Sequence, residues 1–418
     1  MSEWLRGTAD EVALAFGGDV VRYGELARAV DAAVLPAGSG PVGCRAGTDP
    51  VDLVVTVLAC LARDRPVVVG ADRAAAERIA DALPTGTELA LTTSGSTARD
   101  GAAPRVVART SPSWLASAAP LADLASLSPG DRVAVTGPLH VSMHLYAVLH
   151  ALWLGATATD RVAGASVVHA TPTRLARLID GSAPPPAAIV AGAAMGAALR
   201  ARVAERGIRL TEYYGAAELS FVLAGTGGTL TPFPGVDVEL RPGAAGDELW
   251  ARSPYLALAA VDGGDDGRDG AVGMRRDDHG FATVGDLAEH TADGGLRVLG
   301  RGDAAITTAG ATVPAEQVEL RLSSVPGVRA VAVVGEPHEL LGQRIAAVLE
   351  LDDGVALESV VAAARVGLSP VELPRRWFVH ALPRTDSGKV ARGTVRDAVV
   401  AGRLGPGHPA PFETGSGS

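Results

Sequence analysis

Residues 188–218 read AIVAGAAMGAALRARVAERGIRLTEYYGAAE. The apolar runs at 188–190 and 209–211 predict two strands, and residues 197–206 space their apolar side chains as an amphipathic helix does. A strand, a helix and a second strand in this order indicate parallel strands joined by a crossover helix. The segment therefore favours an α/β fold.

The same alternation occurs upstream, with strands predicted at 132–135 and 166–169 and a helix at 173–179. It predicts an α/β domain with a largely parallel sheet. From Pro232 the pattern changes to short strands at 236–241, 248–252, 283–289 and 296–299. Asp293-Gly294-Gly295 separates the last two and predicts a hairpin.

After Arg301 the pattern changes again. Helices are predicted at 314–322, 357–366 and 393–404, and strands at 328–334, 344–351 and 376–379. About 100 residues in this order suffice for a small α+β domain. We therefore expect a large N-terminal domain with mostly parallel sheets at 1–302, joined by a hinge to a C-terminal domain at 303–404. The Gly- and Pro-rich residues 405–418 are expected to be disordered.

The composition excludes several classes of protein. The 418 residues carry a net charge of −10 with no basic stripe, which argues against a nucleic-acid partner. Two cysteines, Cys44 and Cys60, are too few for a disulfide framework and match no metal motif. The apolar stretches 51–61 and 187–199 fall short of the roughly 18 residues that span a bilayer. With no signal-peptide pattern at residues 1–14, we expect a cytoplasmic protein. The oligomeric state stays open.

Lysine is almost absent. Lysine and arginine together number 37, but Lys389 is the only lysine, where a chain of this length ordinarily holds on the order of twenty. A compositional bias can exchange lysine for arginine on solvated surfaces. A lysine that survives such a bias is expected where a compact, mobile ammonium differs in effect from a planar guanidinium.

Four motifs carry chemistry. Leu91–Thr97 (LTTSGST) offers hydroxyl and backbone N–H groups to phosphate oxygens, although such runs are often plain turns. In EYYGAAE, residues 212–218, Tyr214 is suited to stack on a purine and Glu218 to bind Mg²⁺ beside phosphates. The alternative there is a buried aromatic residue and an acid at a helix N-terminus.

In the third motif, Asp286 and Arg301 fall on predicted paired strands and are suited to grip two ribose hydroxyls. The alternative is an ordinary cross-strand ion pair. The fourth motif, residues 382–392, reads LPRTDSGKVAR. Gly388 lets this loop turn sharply, and Lys389 projects from it just before a helix.

The order and spacing of these four motifs resemble the ANL superfamily of acyl-CoA synthetases, adenylation domains and luciferases. The resemblance covers roughly residues 91–392, and the sequence of residues 213–222 (YYGAAELSFV) is similar to that of short acyl-CoA synthetases. It implies a reaction in two steps, with ATP, Mg²⁺ and coenzyme A. A carboxylic acid reacts with ATP to give acyl-AMP and pyrophosphate, and a thiol then displaces AMP.

The resemblance also implies roles for single residues. Lys389 reaches the substrate carboxylate and Glu218 binds Mg²⁺, while Asp303 is the hinge and Gly310 lies in a loop that faces the thiol. The residues implied to bind ATP or AMP are Thr93, Ser94, Gly95, Ser96, Thr97, Arg105, Gly192, Ala193, Tyr214, Gly215, Ala217, Asp286 and Arg301.

His140 stands near the position where amino-acid-activating relatives carry an aspartate for the substrate amine, so we expect an acid without that amine, either fatty, aryl or small and apolar. A loop histidine without a catalytic role is the alternative. Met143, His144 and Tyr146 either line the acid pocket or face the core. The acceptor thiol is expected to be coenzyme A, and the alternative is the phosphopantetheine thiol of a carrier protein.

The chain departs from the family pattern in its phosphate loop. Ala98 replaces a glycine, five residues (99–103) intervene, and Arg105 replaces a lysine. Ala217 stands where relatives often have threonine. These departures keep open a third reading, a catalytically weak homologue that binds nucleotide.

Overall fold

The computed structural model describes residues 3–93, 105–181, 183–243, 245–262, 273–302, 305–308, 311–385, 388–405 and 408–409. Within these residues the α-helices are α1 Tyr23–Ala32, α2 Pro50–Leu61, α3 Arg73–Arg78, α4 Ser111–Leu115, α5 Ala118–Ala125, α6 Ser142–Leu154, α7 Pro172–Ile179, α8 Ala197–Glu205, α9 Ala315–Ser323, α10 Leu357–Gly367 and α11 Arg392–Val400. A 3₁₀ turn spans Ala80–Ala82. In this part of the chain, no helix combines the length and apolar character needed to cross a bilayer.

The strands follow in chain order. They are β1 Val12–Phe16, β2 Asp19–Arg22, β3 Val42–Arg45, β4 Val67–Gly70, β5 Leu89–Thr93, β6 Arg105–Arg109, β7 Arg132–Val135, β8 Thr157–Thr159, β9 Val167–Ala170, β10 Ala187–Val190, β11 Arg209–Ala216, β12 Ser220–Gly225, β13 Thr231–Pro232, β14 Asp237–Gly243, β15 Gly246–Arg252, β16 Ala259–Asp262, β17 Arg275–Arg276, β18 Ala282–Thr283, β19 Asp286–His290, β20 Leu296–Arg301, β21 Ile306–Thr308, β22 Ala311–Val313, β23 Val328–His338, β24 Gly342–Leu351, β25 Arg376–Val379 and β26 His408–Pro409.

The largest sheet has the order β13-β12-β11-β10-β9-β7-β8-β1-β2. Its central strands, from β11 to β1, are parallel to one another, and antiparallel strands close both edges. Helix α7 begins with Pro172 after Thr171, whose hydroxyl accepts a hydrogen bond from the Arg174 N–H at 3.4 Å, an N-terminal cap. The predicted α/β fold with a mostly parallel sheet is confirmed.

Two further sheets complete this part of the chain. The sheet β16-β6-β5-β4-β3 is parallel from β3 to β5 and antiparallel beyond. The third sheet, β17-β18-β15-β19-β20 with β14 on β15, is antiparallel. The hairpin predicted at 293–295 joins β19 to β20. One continuous apolar core, which includes Leu91, Val107, Leu145 and Leu223, connects the three sheets.

The residues after Arg301 form a separate lobe, called the C-terminal lobe below, with its own cores. Its elements α9-β23-β24-α10-β25-α11 follow the predicted order, after a short hairpin of β21 and β22. Neighbouring residues of β25 face opposite ways, so Trp377 packs with α9 and α10 and Phe378 packs with α11. His408–Pro409, within the segment expected to be disordered, pair with β25.

Several predicted boundaries were wrong. The strand predicted at 328–334 continues to His338, and the residues predicted as one strand at 283–289 divide between β18 and β19. Strand β11 does not end at Thr211 but continues to Ala216, because its residues from Glu212 onward pair with β12. Helix α11 ends at Val400 rather than at residue 404. Gly402, at φ +67°, adopts a left-handed conformation that interrupts the helix.

Trp377→Ala tests the core of the C-terminal lobe. Trp377 is fully buried, so its truncation is expected to lower the free energy of unfolding of this lobe by about 3–5 kcal/mol. Val379→Ala on the same strand is the control, because Val379 is 51% exposed and should change stability by less than about 1 kcal/mol. Urea unfolding followed by circular dichroism measures both. Equal effects of the two substitutions would contradict this account of the core.

Candidate active site

Glu218 lies in the turn between β11 and β12. Its side chain is almost fully buried, at 4% exposure, and its backbone carbonyl accepts a hydrogen bond from the Ala257 N–H at 2.8 Å. The turn is tight, since a methyl group on Gly215 would lie 1.9 Å from the Ser220 carbonyl oxygen. Ala217 is half-buried in the same turn. The fold therefore fixes a carboxylate at this end of the sheet.

Arg105 faces that carboxylate from the neighbouring sheet. Its Nη1 lies 3.6 Å from Oε1 of Glu218, and its guanidinium packs on the backbone of Gly273. Arg105 pairs with Thr93 across β5 and β6, and the Thr93 hydroxyl donates to the Arg105 carbonyl at 3.4 Å. These two residues therefore flank the predicted phosphate loop. Its remaining predicted members, Ser94, Gly95, Ser96 and Thr97, lie outside the described residues, as do the predicted Asp303 and Gly310.

Tyr214, Asp286 and Arg301 form a connected group. The Tyr214 hydroxyl donates to Oδ2 of Asp286, and Nε of Arg301 lies 3.3 Å from Oδ1 of the same carboxylate. Asp286 and Arg301 are direct partners across β19 and β20, as the hairpin pattern predicted. Burial, followed by the charge of Asp286, raises the pKa of Tyr214 well above its usual value. Tyr214 therefore stays a neutral donor, which holds its ring in place.

Lys389 lies against Gly192, the first residue of the bend after β10. A methyl group on Gly192 would lie 3.0 Å from Cε of Lys389 and 3.7 Å from its Nζ. The lysine loop is closed on itself, because the Thr385 N–H donates to the Lys389 carbonyl and the Gly388 N–H donates to the Thr385 carbonyl, both at 2.8 Å. Gly388 has φ +80°. Ala193, next to Gly192, is exposed.

The Lys389 ammonium shares its surroundings with the other predicted residues. Although the side chain keeps solvent-accessible surface, its charge lies among protein groups, and this desolvation lowers the pKa of Lys389 below its usual value. The charge of Arg301 lowers this pKa further, while Asp286 and Glu218 oppose the shift. Residues from four separate segments thus meet around one ammonium group.

The histidines near α6 differ from this charged group. His140 lies half-buried in the turn before α6. His144 is fully buried, and burial lowers the pKa of its imidazole to about 4, an effect to which Arg174 and His140 add. At neutral pH His144 is therefore uncharged. Tyr146 faces the core, where its hydroxyl lies 2.8 Å from that of Ser117.

The sequence patterns missed several residues that hold the site together. Arg392, three positions after Lys389, bonds Glu316 and Glu319 of α9 at 2.6 Å each. Arg109 of β6 is fully buried, which lowers the pKa of its guanidinium to about 9. Arg392 could have been singled out from the sequence, because it lies in the fourth motif three positions after Lys389. For Arg109 no sequence signal was available, because its partners in the Glu218 turn, Ala217 and Ser220, are distant in sequence.

Comparisons with known proteins agree with the geometry. Residues 317–389 match the AMP-binding enzyme C-terminal domain. An uncharacterized acyl–CoA ligase of Bacillus subtilis is 29% identical over 340 residues, which are 73% of this chain and 67% of that protein. A medium-chain acyl-CoA ligase of Mycobacterium avium is 33% identical over 39% of this chain and 30% of its own length. The chain is therefore similar to acyl-CoA ligases over most of its length, and its residues 317–389 match a domain of AMP-binding enzymes.

A solved structure extends the fold comparison to nearly the whole chain. The o-succinylbenzoate–CoA synthetase of Bacillus subtilis, in complex with its acyl-adenylate intermediate, superposes with a TM-score of 0.77 at 19% identity. The superposition covers 97% of each chain. At this identity the superposition shows that the two proteins share a fold.

The residues present fit a magnesium ion that is bound together with phosphates. Magnesium is commonly held by one or two carboxylates together with substrate phosphates, and Glu218 supplies one buried carboxylate. In the part of the chain that the structure describes, no group of three or more His, Cys, Asp or Glu residues is placed to hold a metal ion alone. A magnesium ion at Glu218 would take its further ligands from phosphate oxygens or water.

Gly192→Ala tests the contact with Lys389. Its methyl group would meet Cε of Lys389 at 3.0 Å, so the lysine side chain has to shift by a few tenths of an ångström. A misplacement of about 1 Å can cost about a hundredfold in rate, so for this smaller shift we expect pyrophosphate release with an accepted acid to fall by up to about tenfold. Gly164→Ala is the matched control, because Gly164 also has positive φ, +78°, but its added methyl would meet nothing within 4 Å. Both changes should cost about 1–2 kcal/mol of stability, as thermal unfolding would show. Equal activities of the two variants would contradict the contact.

Proposed function

We propose that this protein is an AMP-forming acid–thiol ligase of the ANL superfamily, which activates a carboxylic acid as acyl-AMP and transfers the acyl group to the thiol of coenzyme A. The observation that carries the proposal is the Lys389 ammonium beside Gly192, in the same charged group as Asp286, Arg301 and Glu218. An acid that attacks ATP brings together a carboxylate and three phosphates. A site that binds them needs cations beside a fixed carboxylate that can hold a metal.

In the first step, a carboxylate oxygen of the acid forms a bond to the α-phosphorus of ATP while the bond to pyrophosphate breaks. Lys389 donates hydrogen bonds to the oxygens on which charge develops. Arg105 and Thr93 bind the departing pyrophosphate, together with the loop that contains Ser94, Gly95, Ser96 and Thr97. Mg²⁺ on Glu218 neutralises phosphate charge when bound.

The nucleoside is held by the groups around Tyr214. Gly192 and Ala193 contact one face of adenine and Tyr214 the other, while Gly215 and Ala217 let the backbone approach the α-phosphate. Asp286 and Arg301 bind the ribose hydroxyls. Both carboxylate oxygens of Asp286 already have a partner, but each oxygen carries a second lone pair for a hydroxyl donor.

In the second step, the sulfur of the thiol attacks the acyl carbonyl, and AMP leaves with the bonding electrons. For this step we propose that the C-terminal lobe rotates about Asp303 and brings the loop with Gly310 to the thiol. His140 lies at the acid, and the neutral His144 offers no charge there. We therefore propose a fatty, aryl or small apolar acid.

Pyrophosphate release across a panel of carboxylic acids, with and without coenzyme A, tests this function. We expect release with apolar acids and a thioester only when coenzyme A is added. If a thioester forms with a carrier protein's phosphopantetheine and none forms with coenzyme A, the acceptor thiol is that of the carrier protein. No release with any acid would favour the weak nucleotide-binding homologue instead.

Lys389→Ala separates the two steps. Adenylation is expected to fall by about 10²–10³, the usual loss for one preorganised donor, while thioester formation from preformed acyl-AMP continues. Lys389→Arg is the matched variant. It keeps the charge but replaces a compact ammonium by a planar guanidinium, so it should recover little of the adenylation rate that Lys389→Ala loses. Equal loss of both steps in Lys389→Ala would contradict the assigned role.

A further inference from the structure

Arg109 is a buried cation that the proposed reaction does not use. It ends strand β6, which begins at Arg105, and residues four apart on a strand share one face. Val107, between them on that face, is fully buried in the core. One face of one strand therefore carries two arginines toward the turn that contains Glu218.

The contacts of Arg109 are with neutral groups. Its Nη2 donates to the Ala217 carbonyl at 2.6 Å, and its Nη1 donates to the hydroxyls of Ser220 at 3.0 Å and Ser113 at 3.2 Å. The guanidinium carbon lies 5.0 Å from the centre of the Trp114 ring. Among the described residues, no carboxylate forms an ion pair with it. Burial of a guanidinium is costly, and the charge of Glu218 offsets part of that cost, so core packing alone gives little reason for an arginine here.

The three residues that Arg109 hydrogen-bonds include one on each side of Glu218 in its turn. Ala217 precedes Glu218, and Ser220 follows it by two positions in a left-handed conformation, with φ +57°. A non-glycine residue rarely adopts this conformation unless its surroundings hold it there. Arg105 lies at the Glu218 carboxylate, while Arg109 bonds the Ala217 backbone carbonyl on one side of it and the Ser220 side-chain hydroxyl on the other.

We propose that Arg109 is a positioning residue for the metal–phosphate site, which fixes the turn 217–220 so that the Glu218 carboxylate points at the phosphates. The proposal rests on the proposed function only in taking Glu218 as the metal ligand. Arg109 itself touches no substrate in this arrangement. Groups that orient metal ligands in this way typically contribute ten- to a hundredfold to metal affinity.

Binding of Mn²⁺ in the presence of ATP, measured by electron paramagnetic resonance, tests this without any acid substrate. Arg109→Met is expected to weaken Mn²⁺ binding by about ten- to a hundredfold. Binding of ATP in EDTA, measured by calorimetry, should change little. Arg109→Lys keeps one charged donor, so its Mn²⁺ affinity should lie between those of the wild type and Arg109→Met. Ser220→Ala removes a single contact and should shift Mn²⁺ binding in the same direction by less.

Arg65→Met is the matched control. Arg65 also bonds two carbonyl oxygens, of Pro36 and Gly40 at 2.6 Å each, and its Nε is likewise buried without a partner. It touches neither Glu218 nor the turn, so this variant is expected to bind Mn²⁺ as the wild type does. A loss in Arg65→Met equal to that in Arg109→Met would show a general effect on stability and overturn the proposal.

Three further outcomes would overturn the proposed role of Arg109. Wild-type Mn²⁺ affinity in folded Arg109→Met protein would overturn the proposal. If Arg109→Met does not fold, unchanged Mn²⁺ affinity in Ser220→Ala would overturn it. A wild-type protein that binds no Mn²⁺ with ATP would do the same. If no acid leads to pyrophosphate release, the proposed function is contradicted, while the role of Arg109 is still decided by the Mn²⁺ measurement.

Discussion

The site depends on how charge is balanced around the Lys389 ammonium. Burial and the charges of Arg301 and Arg392 disfavour the protonated form of Lys389 and lower its pKa. The carboxylates of Asp286 and Glu218 oppose this shift and offset part of it. Because these groups come from different segments, the balance exists only when the C-terminal lobe lies against β10, β11 and the β19–β20 hairpin.

Much of the remaining structure maintains that arrangement. Arg392 begins the helix after the lysine loop and bonds Glu316 of α9 at 2.6 Å. Glu316 in turn packs on Gly300, where a methyl group would lie 2.0 Å from its Oε2. Gly300 directly precedes Arg301. A chain of contacts thus connects the helix that follows Lys389 to the strand that carries Arg301, and movement of either one disturbs the other.

The sequence predicted those parts of this arrangement that local patterns encode. The strand–helix–strand unit at 188–218 and the β19–β20 hairpin follow from periodicity and turn residues, so Asp286 and Arg301 could be paired in advance. The length of β11 could not, because it depends on β12 as a partner. Arg109 gave no signal either. Its contacts with Ala217 and Ser220 exist only once β6 and the Glu218 turn are packed together.

The packing also explains why arginine replaces lysine at one position of the site and not at the other. Arg105 lies flat against the backbone of Gly273, and its planar guanidinium reaches Glu218 from there at 3.6 Å. A fork of donors is suited to such a slot and to phosphate oxygens. Lys389 instead has its Cε close to Gly192, at the position where an arginine would begin its planar guanidinium. A compact ammonium is suited to this position, in agreement with the survival of a single lysine in a chain that otherwise uses arginine.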